Sequence, residues 1–242
     1  MALNPLSLLS RRKLLRVLTV IALFVVLAGF VSIGVFGPLW QARAIMTDFK
    51  GLDESADPGS AFKAFRQKHN GKLIDEQCEG NTCESQFLVS NWFLSRLHLA
   101  PRMEFRVWMM IDRGNADFFG VEYTSFTSKE NSPVVHVQED FCRGRTDISC
   151  NHFAVNPHGR NVGPAWNGIV EFGQLATKEQ KEAVRKLNLS CLVSLHGCSD
   201  IAVLLPTIWK RTGPNAVSSC FRSSADSLAE ISQPLANACG AK

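Results

Sequence analysis

No acidic residue occurs in the first 44 positions of the chain, and no charge of either sign occurs between positions 17 and 42. The uncharged run, VLTVIALFVVLAGFVSIGVFGPLWQA, is longer than the roughly 20 apolar residues that cross a bilayer as a helix. It predicts a transmembrane anchor over residues 17–40, with Trp40 as an interfacial aromatic. The missing acids leave Arg11, Arg12, Lys13 and Arg16 unbalanced on its leading side. By the positive-inside rule, residues 1–16 are then cytoplasmic, and everything after about Ala44 lies outside the cytoplasmic or plasma membrane, periplasmic or extracellular. Cysteine is absent before Cys78, which excludes a lipidated N-terminal anchor. A cleaved signal is the rival reading, because Ala42-Arg43-Ala44 fits a small-x-small site. The apolar region, however, exceeds the roughly 7–15 residues of a signal peptide. Ala28 and Ser32 form a small-residue pair suited to packing against a second membrane helix.

An excess of basic residues is also lacking in the rest of the chain. Of 26 Lys and Arg, five lie in residues 1–44, leaving 21 against 22 acidic residues. A nucleic-acid binder needs a basic face to displace counterions, so nucleic acid is excluded as a partner.

Catalytic signatures are missing as well. The chain has no Gly-x-Ser-x-Gly, no His-Glu-x-x-His and no phosphate-binding glycine loop. It has no Cys-x-x-Cys, hence neither the usual redox pair nor a haem attachment site. The stretch CLVSLHGCSD at 191–200 gathers Cys191, His196 and Cys198. Six intervening residues is the wrong spacing for a zinc knuckle, and no second couple matches it. No metal, cofactor or catalytic residue is assigned.

What the chain does have is eight cysteines, all beyond the anchor, where an oxidising compartment pairs thiols. They fall into neighbouring couples, and the simplest scheme joins Cys78 with Cys83, Cys142 with Cys150, Cys191 with Cys198, and Cys220 with Cys239. Each short loop contributes about 2–3 kcal/mol in the chain-entropy model.

Along the chain, residues 41–56 read as a polar connector and 57–211 as an extracytoplasmic α+β domain. A helix is expected over 58–69, with Asp57 as N-cap, Pro58 in its first turn, Phe62 and Phe65 on one face, and Asn70-Gly71 as the stop. KLIDEQC and CESQFLVSN predict a hairpin braced by Cys78 and Cys83. A connector through Pro101 leads to EFRVWMMID, FFGVEYTSFT and PVVHVQED, read as further strands. GIVEF at 168–172 returns to the sheet, giving about five or six antiparallel strands in a meander.

Two helices are expected next, over 178–195 and 200–211. Thr177 and Gln180 form a capping box for the first, Gly197 makes the corner, and Ser199 caps the second. Cys191 and Cys198 then staple a helical hairpin, with His196 exposed. Residues 212–242 read as a loosely ordered extension closed by Cys220 and Cys239, with a short helix near 225–231. One helix followed by an antiparallel meander resembles, in element order alone, the cystatin-like and nuclear-transport-factor-like folds.

The stretch 141–167 (FCRGRTDISCNHFAVNPHGRNVGPAWN) is long, aperiodic and rich in Gly, Asn and Arg, and a loop of that length in a compact domain is more often functional than a linker. Arg143, Arg145, His152, His158 and Arg160 are its candidate ligand-binding residues, suited to an anionic or sugar-like group. On the preceding strand, His136 and Asp140 share a face while Glu139 points the other way. Asn188-Leu189-Ser190 matches a glycosylation sequon inside an expected helix, which makes it a poor acceptor. The expected function is a single-pass membrane-anchored, extracytoplasmic binding or envelope-associated module without catalysis, partnered by the membrane and by a protein or small anionic ligand. The alternatives are an extracytoplasmic enzyme using His and Asp residues of 136–160, and a subunit that joins a membrane complex through its transmembrane helix.

Overall fold

The uncharged run is the middle of one long helix, α1 (Pro5–Asp53), in a computed structural model that describes residues 5–53, 57–113, 115–126, 133–140, 153–156, 167–173, 176–211 and 217–219. Residues 13–33 of α1 are exposed on every side. Beyond them the helix acquires a buried face, on which Leu39, Ala42, Ile45, Met46, Phe49 and Leu52 recur at spacings of three and four. This corrects the reading of 41–56 as a connector: through Asp53 it is helix, and it supplies a stripe of the core. Thr47 and Lys50, which make the stretch look polar, occupy the solvent side. Pro38 sits inside the helix near the changeover, where it removes one backbone donor.

The second helix, α2 (Pro58–His69), forms as expected. The Asp57 side chain accepts from the Ser60 backbone N–H, Pro58 takes the first turn, and Phe62 and Phe65 are buried. Asp48 of α1 ties the two helices together, accepting from Lys68 Nζ at 2.8 Å and lying 2.7 Å from His69 Nε2.

Both helices cover one face of a seven-stranded sheet. Its strands are β1 (Leu73–Glu79), β2 (Thr82–Ser90), β3 (Arg102–Asp112), β4 (Asn115–Phe126), β5 (Val134–Asp140), β6 (Phe153–Asn156) and β7 (Asn167–Gly173), in the order β1-β2-β3-β4-β5-β7-β6. The hairpin of β1 and β2 turns at Gly80, whose φ of 60° suits a residue without Cβ. Cys78 faces Cys83 in its register, at disulfide distance with Cα atoms 4.1 Å apart. Alternating side chains in the middle of β2 to β5 build the core in rows. Phe87 pairs with Val107, Val107 with Val121, Val121 with Val137, and Val137 with Val170. All five are buried.

The sheet departs from a meander at one place. β7 lies parallel to β5, and β6 pairs antiparallel on its far side. A parallel neighbour needs a crossover of a dozen or more residues, and the chain between β5 and β7 provides it. The long stretch expected as loop therefore also contains a strand.

A further short helix, α3 (Trp92–Arg96), stands in the connector between β2 and β3. Asn91 holds it in place: its side chain donates to the Pro101 carbonyl at 2.8 Å and accepts from the Met103 N–H at 2.8 Å.

Among the described residues of the C-terminal third, the expected helical hairpin does not form. The capping box of Thr177 and Gln180 forms, but α4 (Lys178–Val184) ends eleven residues short of the expected helix. The Asn188 N–H, which would continue the helix, bonds instead to the Leu204 carbonyl at 2.8 Å, and the Ala183 carbonyl accepts from Thr207 Oγ1 at 2.6 Å. A 3-10 turn, Leu189–Val193, follows, and then a single-turn helix, α5 (Ile201–Leu204), capped by Asp200 rather than Ser199. The expected helix over 200–211 gives way at Pro206, and β8 (Trp209–Arg211) pairs with β9 (Val217–Ser219). Trp209 lies flat on Gly168, where a Cβ would come within 2.6 Å of its ring. Of the extension 212–242, only 217–219 lies within the described residues, so the expected helix near 225–231 falls outside them.

Candidate functional site

Cys191 lies in the 3-10 turn and Cys198 beyond Gly197, which has φ 65°. Their Cα atoms are 5.7 Å apart, at disulfide distance, and both side chains are buried. The Cys198 N–H donates to Ser125 Oγ on β4 at 3.3 Å, so the pair closes a loop onto the sheet. His196 is exposed. The sequon Asn188 is half-buried, with its amide donating to the Val203 carbonyl and its oxygen accepting from Ser190. Both Asn188 and Ser190 are thus engaged within the protein.

The five candidate ligand residues, Arg143, Arg145, His152, His158 and Arg160, lie outside the described residues, as do the pairs Cys142 with Cys150 and Cys220 with Cys239. The strand beside them is described. On β5, His136 and Asp140 face one side and Glu139 the other, as period-two alternation requires. His136 lies against the Trp108 ring at 5.2 Å. Gln138 stands between histidine and acid: its oxygen is 3.4 Å from His136 Nε2, and its amide donates to Asp140 Oδ1 at 2.8 Å. An amide in that position links the two side chains but does not take up a proton as a general base would. Across the strands, Arg106 and Glu122 complete a half-buried polar face, and Gly120 leaves room for the Trp108 indole.

On the opposite face, Glu139 has no exposed surface, and a carboxylate there requires compensation. It comes from α4 and the turn after it: Lys181 Nζ is 3.0 Å from one oxygen, and Arg185 donates to the other at 3.2 Å. The Arg185 guanidinium also lies over the Phe49 ring of α1 at 4.9 Å. Above this cluster opens a cleft of about 690 Å³, lined by Lys50, Ala176, Lys178, Lys181, Glu182, Arg185 and Lys186. Lys50 comes from the last turn of α1, and the rest from α4 and its flanks. Five cations against Glu182, with Glu139 paired to two of them, leave the cleft with net positive charge. Sequence reasoning missed it because Lys50, Glu139 and Arg185 are far apart along the chain. The Lys178-to-Lys186 run on a capped helix was the available signal.

The other perturbed groups are structural. Burial works to raise the pKa of Asp48, but the hydrogen bonds and charges of Lys68 and His69 outweigh it and hold the carboxyl below its ordinary range. Burial pushes the Tyr123 phenol up, partly offset by a hydrogen bond from the Leu192 backbone. Its hydroxyl donates to the Asn188 carbonyl at 3.3 Å. Among the described residues, no group of three or more His, Cys, Asp or Glu side chains is placed to hold a metal ion.

No protein-family model, curated protein or solved structure matches this chain. The likeness to cystatin-like and nuclear-transport-factor-like folds rests on element order alone, and that order holds only as far as β5. What is established is a mixed α+β protein with a long apolar N-terminal helix, a mostly antiparallel sheet and two cysteine pairs at disulfide distance. Among the described residues, one helix is long and apolar enough to cross a membrane.

Proposed function

We propose that the chain is a single-pass membrane protein with residues 1–16 in the cytoplasm, and that its α+β domain stands outside the membrane as a binding or envelope-associated module without catalytic chemistry. The observation that carries this reading is the division of α1 into a bare apolar half and a half built into the core. Residues 13–33 are exposed, with Phe30 touching Phe93 at the far end, and the apolar side chains among them would cost the chain heavily in water. Cleavage after Ala44 would cut α1 between Ala42 and Ile45, both fully buried, and strip Leu39 and Ala42 from the core. That favours an anchor that stays attached over a signal that is removed. The paired cysteines fit an oxidising compartment. The positive cleft over Glu139 supplies a surface for an anionic ligand or an acidic patch on a partner.

A second reading, a subunit of a membrane complex, is supported by Ala28 and Ser32, which lie one turn apart on the bare half of α1. Membranes carrying the full chain test both. Alkaline carbonate should leave the protein in the membrane and mild detergent should extract it. Protease added to the outer side should reach the domain but spare residues 1–16. Release by carbonate, or cleavage only from the cytoplasmic side, would overturn the first reading. A clean monomer after mild-detergent extraction would overturn the second.

A further inference from the structure

Among the described residues outside α1, the connector between β2 and β3 carries the strongest cluster of exposed apolar side chains. Trp92, Leu97 and Leu99 are 59%, 52% and 54% exposed. They crowd into one short helix and the turn after it, where His98 takes a positive φ of 54°. A soluble surface spreads such side chains out, and a contiguous patch marks an interface.

The position of α3 identifies what covers the patch. Phe93 packs edge-on against Phe30 of α1, with centroids 6.2 Å apart. The same ring lies on the α1 backbone at Gly34, where a Cβ would come within 2.7 Å of it. The uncharged run begins at Val17, and about 20 helical residues at about 1.5 Å each fill a hydrocarbon core of about 30 Å, so the span reaches Phe36. Gly34 lies about 3 Å and Phe30 about 9 Å inside that boundary. The side chain docked on them is therefore at the depth of about 5–10 Å to which interfacial helices sink their apolar faces. Two cations flank the patch in the chain: Arg96 is exposed, and the exposed Arg102 pairs with Glu104 while its guanidinium lies over Phe126 at 5.5 Å. Basic side chains with apolar stems suit a headgroup layer.

We infer that residues 92–99 form a second membrane-contacting element, sunk into the interface of the leaflet on the domain side, with Trp92, Leu97 and Leu99 among the acyl chains and Arg96 and Arg102 among the phosphates. The domain is thereby seated on the bilayer and not carried clear of it. This rests on the membrane-anchor reading above. The occupant is lipid because Trp92 lines one cleft with Phe30 and Ile33 of α1 and its ring meets that of Phe93, which makes this end of the patch continuous with the bare surface of the helix.

Tryptophan quenching tests it on the full chain reconstituted in vesicles of phosphatidylcholine and phosphatidylglycerol. Trp92→Phe, at an exposed position, isolates the Trp92 emission by difference, and Trp40→Phe does the same for the anchor. Lipids brominated near the headgroup end of their chains should remove most of the Trp92 emission, while aqueous acrylamide leaves it largely intact. If acrylamide quenches Trp92 while brominated lipid quenches Trp40, the anchor holds and the inference fails. If neither quencher reaches Trp92 while Trp40 remains in lipid, protein covers the patch and the inference fails again. If carbonate releases the chain and lipid quenches neither tryptophan, both the anchor and the inference fall.

Discussion

Replacing Phe49 by alanine tests whether α1 is at once anchor and core. Phe49 is buried, and its ring stacks on Phe119 of β4 with centroids 3.9 Å apart while Arg185 lies on its other side. Truncating a buried phenylalanine costs about 3–5 kcal/mol in lost transfer energy and residual cavity. Losing the stacked pair adds about 0.5–1.5 kcal/mol, and uncovering Arg185 adds about 0.5–2 kcal/mol. These terms overlap, so the expected loss is about 4–6 kcal/mol. Against a total stability of about 5–15 kcal/mol, the variant should be near the edge of folding. At about 2–4 °C per kcal/mol for a domain of this size, its melting temperature should fall by about 8–24 °C. The control is Thr47→Ala, two residues away on the solvent side of the same helix, where the hydroxyl only returns to the Arg43 carbonyl and the change should stay within about 0.5 kcal/mol. The assay is urea denaturation of the full chain in detergent micelles, followed by tryptophan emission. Indistinguishable midpoints for the two variants would refute the reasoning, since the last turns of α1 would then be a connector after all.

Glu139→Gln should destabilise the domain by about 3–5 kcal/mol, because Lys181 and Arg185 would face a neutral amide in a buried site; a denaturation shift below about 1 kcal/mol would show that the cluster is wet. The Asp48 carboxyl has a folded pKa below its unfolded value of about 3.9, so its contribution is fully present above that value and lost as pH falls through the folded one. Asp48→Asn should therefore lower the melting temperature at about pH 5, with the gap to the parent chain closing below about pH 4. A gap that widens on acidification would contradict the assignment. Non-reducing peptide mapping should recover Cys78 linked to Cys83 and Cys191 to Cys198, each short loop worth about 2 kcal/mol, whereas a Cys83 to Cys150 linkage would break the scheme.

What could be read from the sequence was local. The hairpin was legible because two cysteines bracket a glycine turn, and β3 to β5 because one face alternates without interruption. α2 announced itself through Asp57 and Pro58. The core half of α1 was obscured because its buried residues at three- and four-residue spacing begin inside an apolar run that already had an explanation. Ala183, Val184, Leu187, Cys191 and Leu195 keep a helical period, yet Leu195 is exposed and the backbone bonds of Asn188 go to Leu204 instead. Tertiary hydrogen bonds overrode the pattern. That β7 runs parallel to β5 has no local signature, since pairing direction is settled by the crossover. The side on which Glu139 points followed from its strand position, but its partners lie more than 40 residues away, so the buried cluster and the cleft above it were invisible.

Glu139 also sets an order of events. β5 is complete at Asp140, whereas Lys181 and Arg185 arrive only after the crossover, β7 and the start of α4. Until they do, docking β5 against α1 and α2 would bury an uncompensated carboxylate at a cost of several kcal/mol. Closure of the sheet over that carboxylate should therefore wait until the cations of α4 reach it.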